Sequence, residues 1–554
     1  MRQKTEVKKS AVALLFVVSV ILRFVLANFY PKTINCYPDE LLYLSGAASL
    51  WNQHQMLVFQ MPSNFARIGY CLLMAPAFAF GDLKIRGMVI ALINAVLVSL
   101  GIFPIYGMAR RLLSEKKYVV LSMVMYLVCP TMTFSMTYMS ENLYLPVALL
   151  ILYVVFCLLY EKKKSRKIML TIIFLLLVAV AYYVKSVALS FLVALAFLGI
   201  TKLVGSREKK KMGCAAFIFL LGIVISAVII KNGWIEWNPS VMQTRGGYIL
   251  FGTVFFVLIT ILAFCVVPVF LPGLMYKSLD DTEKRIYLFL LYLVLSTALV
   301  VAAMIYVSED YPSLTPRAHV RYVEFAFVPF VMLVFCLLEK KDPVISRWKV
   351  VLLFVGWGIV QLVLFQGFLG RTLDQTMLFY WQLIAKDGMN FNPGTVRLLS
   401  TVIILIAFAM VVLYRKNKVK FQKLFVIGIF TMCLGNSVLS VYVQYKTHTH
   451  SQTETAEAEN LRQFVQDNDD KVFWVLEPDG FCELIDTYLI DCENVRTGTK
   501  PILSQRQEMF TLPKKVDYLV ICDQIEGTEY VNGKSTTLYQ SYPALGYSVY
   551  QSSQ

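Results

Sequence analysis

Apolar runs of about 20 residues, separated by short polar connections, recur along residues 1–442. A helix of about 20 residues rising ~1.5 Å per residue crosses a hydrocarbon core of ~30 Å, and runs near this length read as membrane spans. The pattern predicts spans over 10–30, 86–109, 118–134, 141–160, 168–183, 186–204, 212–231, 248–274, 285–307, 321–338, 349–366, 395–414 and 421–442, about thirteen in all. A further stretch at 68–80, IGYCLLMAPAFAF, is shorter. Counting it as a span would move the basic connection ARRLLSEKK to the opposite side and invert every later assignment. It is therefore read as a short helix lying in or dipping into the outer leaflet.

After residue 442 the period and polarity change. TAEAENLRQFVQD carries a helical repeat, KVFWVLE and VDYLVICD read as buried strands, FCELIDTYLI as a helix between them, and GYSVYQ as a final strand. Residues 443–554 are thus expected to form a small α/β domain, following a membrane domain over 1–442. This tail holds 9 basic and 17 acidic residues, whereas the whole chain has a net charge of +16.

The location of the positive charge decides what it means. The connections alternate: ARRLLSEKK, EKKKSRK, GSREKKK, YKSLDDTEKR, EKKDPVISRWK and YRKNKVKFQK, with the N-terminal segment, hold over half of the 52 basic residues. Basic residues collect on the cytoplasmic side of a membrane protein. The first run carries Arg23 near its outer end and reads as an uncleaved span rather than a signal peptide. The expected topology places the N-terminus in the cytoplasm, the long loop 31–85 outside, and the C-terminal domain outside the plasma membrane. The charge calls for a bilayer and not for nucleic acid. With 58% hydrophobic and 16% charged residues, a string of soluble domains is excluded.

Little of the usual catalytic vocabulary is present. The 11 cysteines include no CxxC pair, there are four histidines, and no Walker A loop, Rossmann glycine pattern, HExxH or GxSxG occurs. His448 and His450 form an isolated HxH that reads as a solvated linker. Nucleotide-driven and zinc chemistry therefore find no support.

Charges beside a bilayer are costly, so those near the outer ends of spans are the places to search. In TINCYPDELLYLSGAASLW, Asp39 and Glu40 follow Pro38 at the expected start of an interfacial helix. They read either as acids complementing a helix dipole or as a general base with a bracing neighbour, since adjacent helical residues point about 100° apart. Glu141 opens the fourth span in MTYMSENLYLPV, with the same two readings. Lys185, in AYYVKSVALS, sits where a hairpin should turn at the outer face, as a snorkelling lysine or a phosphate ligand. Arg317, His319 and Arg321, in LTPRAHVRYVEFAFVPF, form a positive rim that serves interfacial anchoring or phosphate binding.

The ordered set of YPDELLYLSGAASLW, APAFAFGD, YGMARRLL, CPTMTFSMTYMSENLYLPV, AYYVKSVAL and HVRYVEFAFVPF resembles the GT-C superfamily of integral membrane glycosyltransferases. The likeness is to the protein O-mannosyltransferase and aminoarabinose transferase branch. It is dense over the first 200 residues, thin between 205 and 305, and returns near 317–330. The resemblance implies transfer of a sugar from a polyprenyl phosphate carrier to an extracytoplasmic glycan, lipid or protein acceptor, with inversion. It makes Asp39 the candidate base and Glu40 its catalytic neighbour. Glu141 would orient the acceptor or the cations, and Lys185, Arg317, Arg321 and His319 would hold the donor phosphate. No obligatory cofactor is implied; weak Mg²⁺ or Mn²⁺ binding through carboxylate oxygens is compatible with the acids. A transporter, flippase or polymerase of lipid-linked saccharides is the competing reading.

Overall fold

A computed structural model describes residues 7–28, 38–58, 61–62, 68–204, 239–303, 319–340, 347–364, 386–387, 390–447, 452–477, 483–499, 516–523 and 536–552. In chain order its helices are α1 (Lys9–Asn28), α2 (Pro38–Gln53), α3 (Ile68–Met74), α4 (Leu83–Leu100), α5 (Ile102–Leu112), α6 (Lys116–Val128), α7 (Glu141–Tyr160), α8 (Lys164–Val184) and α9 (Ser190–Val204). There follow α10 (Pro239–Ala263), α11 (Val267–Leu274), α12 (Asp281–Val301), α13 (Phe327–Leu338), α14 (Arg347–Leu364), α15 (Pro393–Lys416), α16 (Lys418–Thr447), α17 (Gln452–Asp467) and α18 (Glu483–Leu489). Among the described residues, eight helices are long and apolar enough to cross a membrane, or nine if the bent pair α10–α11 counts as one span. The chain is a multi-pass membrane protein. The span expected at 212–231 lies outside the described residues.

The run 248–274, expected as one span, is bent by 96° between Ala263 and Val267. Cys265 and Val266 both have positive φ, 59° and 61°, a region that a β-branched side chain rarely occupies. Pro268 follows in the first turn of the new helix, where a proline is tolerated, and Pro272 lies inside that same short helix. The run 321–338 also differs. Two 3₁₀ turns, Val320–Tyr322 and Glu324–Ala326, precede a helix of 12 residues. All 12 are buried, so the hydropathy there reflects packing inside protein rather than a lipid-facing span. By contrast α8 buries one stripe, Phe174, Val178, Ala181 and Val184, and leaves Leu175, Leu176 and Val180 half-exposed or more.

The described chain divides into two compact units, each discontinuous in sequence. One comprises Met1–Ser19, Leu97–Thr133 and Tyr144–Val441. Its basic connections are fastened by local polar contacts. The Glu339 carboxylate accepts the backbone N–H groups of Ser114 and Glu115 just ahead of α6 at 2.7–2.9 Å, and Asp280 with Glu283 forms a reciprocal cap on α12.

The other unit comprises Val20–Val96, Phe134–Leu143 and Tyr442–Gln554. Within it α2 packs against α3, and Gly46 permits the approach: a Cβ there would lie 2.7 Å from Met56 Cε and 3.1 Å from Cys71 Sγ. The last segment contains a five-stranded sheet. Its strands are β1 (Phe473–Glu477), β2 (Val495–Thr499), β3 (Tyr518–Cys522), β4 (Thr536–Tyr542) and β5 (Tyr547–Ser552). They are ordered β2-β1-β3-β5-β4, with β1 parallel to β2 and β3 and the remaining pairs antiparallel. Leu461 and Val465 of α17 pack with Phe473, Val475, Val520 and Val549 in the core of this sheet.

Asp491, just after α18, ties the sheet segment to the first turn of α4. It accepts from Arg86 at 2.8 Å and from Arg462 at 2.6 and 3.0 Å. Arg86 also donates twice to the Phe80 carbonyl, at 3.1 and 3.0 Å, and lies 4.6 Å from the Phe78 ring centroid. Burial alone would raise the Asp491 pKa, but the hydrogen bond from Arg462 and the charge of Arg86 outweigh it and hold the carboxyl below its ordinary value.

Candidate active site

Two buried charged clusters are built from the residues singled out in the sequence, one in each unit. The acidic cluster begins where Pro38 opens α2, a position at which the missing N–H costs nothing and φ is already helical. Asp39 is the second residue of this helix, and its side chain lies outside the described residues. Glu40 is 2% exposed and accepts the backbone N–H of Tyr138 at 2.6 Å. A buried carboxylate is tolerable only when it is hydrogen-bonded, and here the donor comes from the turn 134–140 that precedes α7.

The same turn is gripped again one turn along α2. Tyr43 donates its hydroxyl to Ser140 Oγ at 2.8 Å, and Ser140 Oγ in turn donates to Glu141 Oε2 at 3.4 Å. Behind it, the Thr137 carbonyl accepts from Asn94 at 3.0 Å and from Asn142 at 2.7 Å. Tyr70 donates to Asn94 Oδ1 at 2.8 Å, and its ring meets that of Tyr43 edge-on at 5.4 Å. Ser140, Asn94 and Asn142 are fully buried. A buried polar network of this kind fixes geometry, because breaking any link strands a partner away from water. The structure thus brings Glu40 and Glu141 into one network with the helix that carries Asp39.

The cationic cluster lies in the other unit. Lys185 terminates α8 in extended conformation, its N–H capping the Ala181 carbonyl at 2.7 Å. A cation suits this end of a helix. The side chain is buried, and Nζ lies 4.4 Å from the centroid of the Tyr322 ring. His319 stacks on the same ring, with centroids 5.4 Å apart and planes 19° from parallel. The Arg321 guanidinium is 5.3 Å from that centroid, and Nη2 donates to the Tyr322 hydroxyl at 3.4 Å. The 3₁₀ turn Val320–Tyr322 is what gathers neighbours so closely spaced in sequence around one side chain. Lys185, His319 and Arg321 are therefore brought together, while Arg317 lies outside the described residues.

Tyr322 is the organising residue to which the sequence motifs assign no role. The RY pair in HVRYVEFAF is its only signal, because convergence of Lys185 on the ring depends on packing between distant elements. Glu324, buried in the following 3₁₀ turn, is a second such residue. Among the described residues, no three of His, Cys, Asp and Glu gather in a metal-binding arrangement.

No family model matches the sequence, and no curated protein does. Solved structures do. ArnT from Cupriavidus metallidurans bound to undecaprenyl phosphate superposes with a TM-score of 0.53 at 12% identity, covering 98% of both chains. ArnT of the same organism in the apo state gives 0.49 at 11% identity, again over 98% of both. An oligosaccharyltransferase from Archaeoglobus fulgidus, tethered to an acceptor peptide, gives 0.43 at 11%, covering 99% of this chain and 74% of its own. The first of these shows that the two chains share a fold over nearly their whole length.

Proposed function

We propose that this chain is a membrane glycosyltransferase of the GT-C type, moving a sugar from a polyprenyl-phosphate-linked donor to an extracytoplasmic acceptor. The observation that carries this reading is the convergence of Lys185, His319 and Arg321 on Tyr322 in a chain with the fold of ArnT, a protein crystallised with undecaprenyl phosphate. A carrier anchored in the bilayer is a substrate suited to a multi-pass protein. Its leaving group is a phosphate whose charge grows as the glycosidic bond breaks, and pre-placed cations stabilise that charge without reorganising at the moment of reaction.

In this mechanism Lys185 and Arg321 hold the lipid phosphate, with Arg317 and His319 as further donors. Asp39 removes the proton from the acceptor hydroxyl or amine as it attacks the anomeric carbon, and a single displacement inverts that centre. Glu40 is a positioning residue: its bond to Tyr138 N–H holds the first turn of α2. Glu141 acts with it through Ser140 and Tyr43. The topology that goes with this reading has the N-terminus in the cytoplasm, a catalytic domain over 1–442 and an extracytoplasmic domain over 443–554. Turnover needs no obligatory divalent ion.

A transporter of lipid-linked saccharides is favoured by one feature, the 96° break between α10 and α11, because transporters use broken helices at their binding sites. The break carries Phe264, Cys265 and Val266 and no charged side chain, which suits a packing bend better than a charged-substrate site. The deciding experiment reconstitutes the purified chain in vesicles with radiolabelled polyprenyl phosphate sugars. Appearance of label on an acceptor, with free carrier released, supports transfer. Movement of intact donor between leaflets without release of the sugar overturns it.

A further inference from the structure

The unit that contains the cationic cluster also holds a cavity of 420 Å³ between α5 and α7, which neither the sequence motifs nor the proposed reaction uses. Its polar side is made by the last turn of α5. The Arg110 guanidinium lies 5.4 Å from the centroid of Tyr106, and that of Arg111 lies 5.6 Å from the centroid of Tyr153 on α7. A ring face steadies a guanidinium but supplies no counter-charge. Arg111 is exposed, and the side chains that act on it are Tyr153 and Cys157, with no carboxylate among them. The apolar side is made by Phe103 and Leu150, 43% and 38% exposed.

Gly107 lets Tyr153 seat against α5. A Cβ at that position would lie 2.5 Å from Tyr153 Cε2 and 2.8 Å from Cδ2, so the ring lies directly against the α5 backbone. Any side chain there would push Tyr153, and with it the support for Arg111, away from α5. Arginines and tyrosines at the end of a span are common as interfacial anchors, but anchoring alone requires no concave site. The combination of two guanidiniums, two phenol rings and an exposed apolar wall has the polarity of an amphiphile with an anionic head. Guanidinium groups match the oxygens of a phosphate in their planar fork of donors, and the volume falls in the range of small-molecule sites.

We infer that this cavity binds the phosphate head of an anionic phospholipid, its glycerol and first methylenes lying along Phe103 and Leu150. The site is independent of the donor site proposed above.

The test titrates the purified full-length chain in detergent with dioctanoyl phosphatidylglycerol, dioctanoyl phosphatidylcholine or inorganic phosphate, read by native mass spectrometry and by thermal shift. Phosphatidylglycerol should bind and raise the melting temperature, and the other two should do neither at the same concentration. The doubly substituted Arg110→Gln, Arg111→Gln chain, whose melting temperature without lipid reports that it folds, should bind phosphatidylglycerol about tenfold more weakly. Leu150→Gln should weaken the lipid as well, through the apolar wall. Equal binding of the two lipids overturns the proposal, as does unchanged phosphatidylglycerol affinity in the folded arginine variant. Inorganic phosphate binding as tightly as phosphatidylglycerol would make this a free-anion site and overturn the lipid occupant.

Discussion

The acidic turn and the cationic cluster bury charge by opposite means. Around Glu40 the contacts are directional: it accepts a backbone N–H at 2.6 Å, and a second run of hydrogen bonds, Tyr43 to Ser140 to Glu141, joins the same two segments. Around Lys185 and Arg321 the shared partner is the face of Tyr322. Carboxylates held by closed networks serve as struts, since each lone pair used in a hydrogen bond is withdrawn from chemistry. An aromatic face attracts positive charge without carrying a formal counter-charge of its own. The first arrangement suits holding a helix in place, and the second suits receiving an anion.

The largest effect is expected at Asp39, the proposed general base. Asp39→Asn is expected to lower kcat by about 10²–10⁴-fold, the range for a positioned general base, with donor binding nearly unchanged; steady-state kinetics alongside donor affinity separate the two. Next, Lys185→Ala should raise the donor KM by about tenfold or more, the value of a charge-assisted hydrogen bond, and Lys185→Arg should recover most of it. Tyr322→Leu should copy the lysine loss while Tyr322→Phe, which keeps the ring face, stays close to the parent. If the two tyrosine variants behave alike, the ring is not what holds the cations.

A smaller change is expected at the strut. Glu40→Ala leaves the buried Tyr138 N–H without its acceptor, at a cost of about 1–3 kcal/mol, visible as a lower melting temperature with kcat falling and donor affinity preserved. Smaller still is the acid limb of stability from Asp491. Its depressed pKa makes its contribution fully present above the ordinary aspartate value of about 3.9, and the contribution is lost as pH falls through the folded value. Stability should therefore be flat with respect to this group from pH 5 to 8 and drop below about pH 4, and Asp491→Asn should remove that drop while lowering the plateau. Last, chelation of divalent ions should leave turnover unchanged; loss on chelation, restored by Mg²⁺ or Mn²⁺, would give the acids a different task.

Hydropathy located the membrane helices well because a helix of about 20 consecutive apolar residues has few places to bury itself except a bilayer. Two runs take a different shape in the structure from the single helix that hydropathy predicts. α13, buried on all sides, reads the same as a span that faces acyl chains, and α10–α11 reads as one long run although Pro268, in the first turn of α11, marks a restart. In the last segment the central strands Phe473–Glu477 and Tyr518–Cys522 stand out, the latter buried at every residue. The two edge strands, VRTGT and TTLYQSY, do not. An edge strand has one paired side and need not be apolar on both faces, so its pattern fades into loop. At the site, residue types near the outer ends of spans were legible from charge alone, whereas Tyr322 was not, since a ring becomes a platform only when another helix delivers a lysine to it.

The triad of Arg86, Asp491 and Arg462 has a consequence for biogenesis. Arg86 and Asp491 are 405 residues apart, so at about 5–20 residues per second a ribosome needs roughly 20–80 s to supply the counter-ion after the arginine has been made. Throughout that interval Arg86 can hold the Phe80 carbonyl but has neither Asp491 nor its neighbour Arg462 to complete the buried triad.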